Sequence, residues 1–170
     1  MIINFSDEKV YIDKELPSIF LAGPTLRNSS YELSWRNEAC NILVGMNFKG
    51  IVYIPEFSKG ENPFDFMKQA EWERMGLMNA DVIVFYVPRK FPELPGFTTN
   101  VEFGMYLARR PDSVLFCSPE GAVKNQYLEW LYLRERPDGK IYHNLEEVLE
   151  NAILYVNKKK CKRDECIREE

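Results

Sequence analysis

The sequence predicts an α/β protein built on an open, doubly wound, mainly parallel sheet of five strands with helices on both faces. Three observations predict it. Short apolar runs that end in Gly or Pro recur along the chain, as expected of strands covered on both faces. Between them lie segments whose apolar residues repeat at helical spacing,. Strand and helix then alternate throughout, which is the order of a flavodoxin- or Rossmann-like sheet. In such sheets the ligand crevice lies beyond the carboxyl ends of the strands, where strand order reverses.

Taken in order, "SIFLAG" (18–23), "GIVYIP" (50–55), "DVIVFYVP" (81–88) and "SVLFCSP" (113–119) read as strands, with a short fifth near Ile141. "KVYID" (9–13) is a candidate for a further edge strand. Trp35, Ala39, Ile42, Leu43 and Met46 mark the first helix, for which Ser29 and Glu32 offer a capping box,. A second helix opens at Asn62, with Pro63 as its first residue, and runs to about Asn79,. Residues 99–110 and 122–135 read as two more, and "HNLEEVLENAILYV" as the last. One domain spans 1–157, and "NKKKCKRDECIREE" closes the chain as a charged tail, a solvated helix end or a frayed segment, over 158–170,.

Composition narrows the function classes. The 170 residues are 45% hydrophobic and 28% charged, ordinary for a globular protein that buries one core,. A net charge of -4 gives no reason to follow a DNA or RNA backbone, so small phosphorylated ligands remain but nucleic-acid polymers do not,. No run reaches the roughly 18 apolar residues of a membrane helix, and "MIINFSDEKVYIDK" lacks signal-peptide order; a cytoplasmic protein is expected,. Four scattered cysteines and one histidine argue for reduced thiols and against a metal site, and no cofactor motif stands out,.

Three segments that follow strands hold the candidate functional residues. In "AGPTLRNSS" (22–30), Gly23 permits close backbone approach, and Thr25, Ser29 and Arg27 ahead of a helix suit an anion,. The plain alternative is a strand-to-helix turn. In the second helix, Phe66, Ala70 and Leu77 define a core-facing stripe on which Glu73 also falls,. A buried carboxylate needs a partner, a raised pKa or a pocket, unless the helix is rotated so that Glu73 sits at its edge. Trp72 beside it is either core or a wall for a flat base. In "GFTTNVEFG" (96–104), Thr99 and Glu102 form an S/T-x-x-E capping box, the cheapest account from spacing alone,. The rival account makes Glu102 a carboxylate nucleophile, kept ionised by the helix dipole, with Glu73 on a facing helix as its partner in glycosidic chemistry.

The set "FLAGPT", "SWRNEA", "EWERMGLMNADVIVFYVP" and "GFTTNVEFG" resembles the nucleoside 2-deoxyribosyltransferase superfamily, especially its nucleotide N-glycosidase branch, over about residues 18–118. The resemblance implies a retaining N-glycosidase in which Glu102 is the nucleophile. It further implies that Glu73, eight residues before Asp81, is the acid or base where many relatives carry Asp. Gly23, Pro24, Thr25 and Arg27 match the loop that approaches sugar and 5′-phosphate. Thr98 and Thr99, after Gly96 and Phe97, lie where nucleotide-cleaving members use hydroxyls for phosphate. Relatives assemble as homodimers or higher oligomers, which makes Asn125, Tyr127 and Trp130 candidates for a neighbour's site. Trp35, Trp72, Phe91 and Phe97 are candidate walls for the base. An NAD glycohydrolase and a nucleotide sensor that binds without cleaving are the alternatives.

Overall fold

A computed structural model of the chain describes residues 1–26, 34–58 and 65–168, with side chains to residue 161. Its strands are β1 (Ile2–Phe5), β2 (Ser18–Ala22), β3 (Ile51–Ile54), β4 (Val82–Tyr86), β5 (Val114–Cys117) and β6 (Ile141–Tyr142). Its helices are α1 (Trp35–Gly45), α2 (Phe66–Asn79), α3 (Phe97–Arg109), α4 (Gln126–Glu135) and α5 (Leu145–Arg168). The strands form one wholly parallel sheet in the order β1-β3-β2-β4-β5-β6.

Every residue of β2, β3 and β5 is buried. Strands without a polar face must be covered on both sides. One face packs against α1 and α5 through Ala39, Leu43, Val148, Leu149 and Ala152. The other packs against α2, α3 and α4 through Trp72, Leu77, Phe103, Tyr106 and Tyr132. The chain runs outward from β2 to β3, then returns to β4 on the other side of β2. Strand order therefore reverses between β2 and β4, and the crevice is expected there.

The sheet has six strands, one more than the sequence predicted. The added edge is Ile2–Phe5, which pairs with β3, whereas residues 9–13 form no strand. Asn4 explains why: its side chain accepts from the Tyr11 amide (2.8 Å) and donates to the Lys9 carbonyl (3.1 Å), so residues 9–11 return beside β1 without joining a ladder.

Helix starts also differ, α4 among them, which begins at Gln126 and not at 122. Helix α1 is capped by Ser34, whose hydroxyl accepts from the Arg36 amide; the proposed Ser29 and Glu32 box lies outside the described residues. Helix α2 begins at Phe66, because the Asp65 carboxylate accepts from the Met67 and Lys68 amides and supplies the cap, while Asn62 and Pro63 lie outside the described residues. Helix α3 begins two residues before Thr99, with Gly96 as N-cap in the left-handed region at φ 63°. At the other end of the chain, α5 continues to Arg168, and Lys159 reaches Asp81 at 3.0 Å. Among the described residues Cys40, Cys117 and Cys161 are free thiols, and no helix is long and apolar enough to cross a membrane.

Candidate active site

Segments that follow β2, β3 and β4 enclose a cavity of about 1000 Å³ between α2 and α3. Gly23, Pro24 and Thr25 come from the first segment, Pro55, Glu56 and Phe57 from the second, and Gly96, Phe97, Thr98 and Thr99 from the third. Backbone demands fix two of these. Gly23 has φ 151°, and a Cβ there would lie 2.1 Å from the Tyr86 carbonyl oxygen, so only glycine lets the loop after β2 lie against the end of β4,. Gly96 packs against Pro24, its missing Cβ leaving 3.3 Å, and this contact sets the start of α3 beside the same loop.

Of the stripe expected to face the core, Phe66, Ala70 and Glu73 face this cavity instead, while Leu77 lies at its base and is in the core as its periodicity suggested. Phe66 is 63% exposed, whereas Trp72, Gly76 and Leu77 are the buried residues of α2. The physical reason is Gly76: its missing side chain admits the Phe20 ring, which would come within 2.7 Å of a Cβ, and so turns the helix by its small face onto the sheet. Trp72 is accordingly core, packed between Phe20 and Tyr53 away from the cavity lining, and is no wall for a base.

Glu102 also lines the cavity and is no helix cap. Because α3 starts at Phe97, Glu102 lies in the second turn, beyond reach of the helix-start amides, and the N-terminus carries no side-chain cap bond,. Its carboxyl is hydrogen-bonded to that of Glu73. Burial first, and then the charge and hydrogen bond of Glu73, push the Glu102 pKa up to about 8, against the pull of Arg36,. The expectation that the helix dipole keeps Glu102 ionised is thereby overturned. The dipole acts within the first turn, and Glu102 is past it. Glu73 in turn accepts from Gln69 Nε2 at 2.7 Å.

Behind the cavity wall sits a residue that sequence reasoning passed over. Arg36, 1% exposed, donates from Nε to the Leu21 carbonyl (3.0 Å) and from Nη2 to the Gly23 carbonyl (2.8 Å). Its Nη1 donates to Thr25 Oγ1 (3.2 Å) and Glu56 Oε1 (2.6 Å). Burial lowers its pKa, while Glu56, Glu73 and Glu102 oppose that shift. One guanidinium thus shapes the loop after β2 and supplies positive charge to the carboxyl pair. Its sequence signals were its place in the "SWRNEA" stretch of the resemblance and a basic residue one past a tryptophan at a helix start, where a solvated face is the default. Glu56 and Gln69 were missed likewise.

The remaining candidates lie elsewhere. Asp81 stands at the amino end of β4, opposite the cavity, where it accepts from the Ser18 amide and hydroxyl (both 3.0 Å) and pairs with Lys159. Asn125 is 1% exposed and donates to the Val87 carbonyl and Ser118 Oγ, so it closes the loop after β5. Tyr127 and Trp130 are exposed on α4 with ring centroids 5.6 Å apart. Phe91 is outside the lining, and Trp35 lies against Tyr86 and donates to the Pro24 carbonyl (3.0 Å). Arg27 is outside the described residues.

A family model described as nucleoside 2-deoxyribosyltransferase like matches residues 16–122, which contain both glutamates and every strand that bounds the cavity. The chain belongs to the nucleoside 2-deoxyribosyltransferase-like family. No curated protein matches it closely enough to add to this. For this deoxyribosyltransferase-like chain, membership establishes a deoxyribosyltransferase-like function in general, with small-molecule nucleosides as the substrate class.

Proposed function

We propose that this chain cleaves the N-glycosidic bond of a nucleoside or nucleoside 5′-monophosphate through a covalent glycosyl-enzyme on Glu102. The observation that carries the proposal is the hydrogen-bonded pair of Glu102 and Glu73 in one cavity wall. An inverting glycosidase needs its carboxyls roughly 6.5–9.5 Å apart to admit a water between them and a retaining one holds them roughly 5–5.5 Å apart, and a pair in direct contact has no room for that water. A bonded pair supports the retaining course.

In the resting state the two carboxyls share one proton, the Glu102 pKa being pushed up to about 8,. Before attack the proton passes to Glu73. A Glu102 oxygen then bonds to the anomeric carbon as the carbon–nitrogen bond breaks, and Glu73 gives its proton to the departing base. Water, or a second base, attacks the glycosyl ester from the vacated side, loses a proton to Glu73 and frees Glu102. The two acceptors define hydrolase and transferase outcomes of one mechanism.

The start of α3, without a side-chain cap and flanked by Thr98 and Thr99 in the lining, supports a phosphate at the sugar end,. A cavity of about 1000 Å³ is at the upper end of small-molecule sites, which keeps NAD among the substrates to assay,. The exposed Tyr127 and Trp130 pair supports a homodimer through α4. Sedimentation of wild type and Trp130→Ala tests it, and a wild-type monomer at assay concentration removes the dimer.

The deciding experiment is base release, followed by chromatography, from ribo- and deoxyribonucleosides, their 5′-monophosphates and NAD, for wild type and Glu102→Gln. Cleavage of one class by wild type, with a folded but inactive variant, is the expected result. Tight binding with no base released by either protein leaves a sensor instead.

A further inference from the structure

Gln69 lines the cavity one helical turn before Glu73. Its Nε2 lies 2.7 Å from Glu73 Oε1 and 3.3 Å from the Pro55 carbonyl oxygen. Both neighbours are acceptors at any pH at which Glu73 is ionised, so the amide nitrogen and not its oxygen must face them. The consequence is that Gln69 Oε1 is buried with no hydrogen-bond partner among the described residues. An orphaned buried carbonyl is destabilising, and turning the amide over would set its oxygen against two other oxygens. The Pro55 carbonyl, which belongs to the loop after β3, thus locks the donor toward Glu73.

We propose that Gln69 is a positioning residue for the acid: held by the Pro55 carbonyl, its amide N–H points permanently at Glu73, favours the Glu73 carboxylate and sends the shared proton of the pair to Glu102. This rests on the glycosidase mechanism above for its role in catalysis, but not for its geometry. A permanent donor stabilises the ionised form of its acceptor. It therefore makes protonated Glu73 the stronger acid toward a departing base; with the proton on Glu102 it acts on an ionised Glu73 before and after that proton is lost, so it decides where the pair keeps its proton more than how tightly,. The raised Glu102 pKa accords with a proton parked on that residue.

The variant is Gln69→Met, which keeps the length and removes the donor, with Gln69→Asn, too short to reach Glu73, as the second should the first fail to fold. Two readouts are taken. The first is the pH profile of kcat and kcat/KM on the best nucleoside of the panel. Loss of the donor lets the proton lie on Glu73 as a weaker acid, so kcat falls with KM little changed, while the basic limb rises by only about 0.3 pH unit when the two carboxyls come to share the proton equally. The second is a carbon NMR titration of the glutamate carboxyls without substrate, in which the upper step, followed in wild type by the Glu102 carboxyl, is followed in the variant by the Glu73 carboxyl as well. A kcat and a pair of carboxyl titrations that superimpose on wild type overturn the inference even if the variant is less stable. If wild type cleaves nothing in the panel, the glycosidase reading fails, and the NMR titration still decides the role of Gln69.

Discussion

Glu102 on α3 and Glu73 on α2 meet through their carboxyl groups across a cavity that neither helix could form alone. The pair is costly to ionise fully, since two carboxylates in contact repel and burial weakens their hydration. The same two features that penalise it in stability suit it to hold one proton at neutral pH.

The first prediction concerns activity. With the Glu102 pKa at about 8, the singly protonated pair persists below that pH and is lost above it. We expect kcat/KM to fall tenfold per unit above roughly pH 8 as the acid disappears, in the pH profile of the cleaved nucleoside. A flat profile to pH 10 removes the proton-sharing pair from the mechanism.

Stability should show the same pair with a definite sign. A carboxyl whose folded pKa is raised is most favourable to folding below its unfolded pKa, near 4.5, and that contribution is lost as pH rises toward 8,. Glu102→Gln has no charge to bury, so it should stabilise the protein by about 1–3 kcal/mol at pH 7.5 and by much less at pH 5. Thermal melts at the two pH values give the comparison, and an equal shift at both excludes burial of charge as the cause.

Arg36 is expected to be the costliest side chain of the site to remove. Arg36→Met leaves the Glu56 carboxylate without its ion pair and the Leu21 and Gly23 carbonyls without donors, a loss of about 3–5 kcal/mol,. Glu56→Gln keeps an acceptor for Arg36 and should lose less than half as much. Denaturant unfolding that ranks the two variants the other way shows that Glu56, and not Arg36, organises the loop.

Glycine positions offer a paired test of the loop geometry. Gly23→Ala meets the Tyr86 carbonyl and a left-handed φ, so it should destabilise by more than about 2 kcal/mol and abolish activity,. Gly104→Ala, inside α3 with nothing within 4 Å of the added methyl, should stabilise the helix by about 0.5–1 kcal/mol,. Equal effects at the two sites contradict the tight approach of the β2 loop to β4.

What the sequence determined by itself is local. Apolar runs closed by Gly or Pro fixed four strands to within a residue or two, because a strand covered on both faces has no polar position to confuse the pattern. Motif resemblance placed Glu102 and Glu73 in one family-like set, and the first loop and the Thr98 and Thr99 turn beside them. What only the tertiary structure decided is orientation. Spacing could not tell a core stripe from a cavity stripe on α2, because Gly76 against Phe20 sets the rotation of that helix, and this contact joins residues 56 positions apart. Nor could spacing tell a cap from a cavity carboxyl in "TTNVEF", because the helix start is set by Gly96 against Pro24 from the loop after β2. Buried polar partners such as Arg36 and Gln69 were equally invisible. Hydrogen bonds to carbonyls of distant strands leave no periodicity in the sequence, and only folding brings donor and acceptor together.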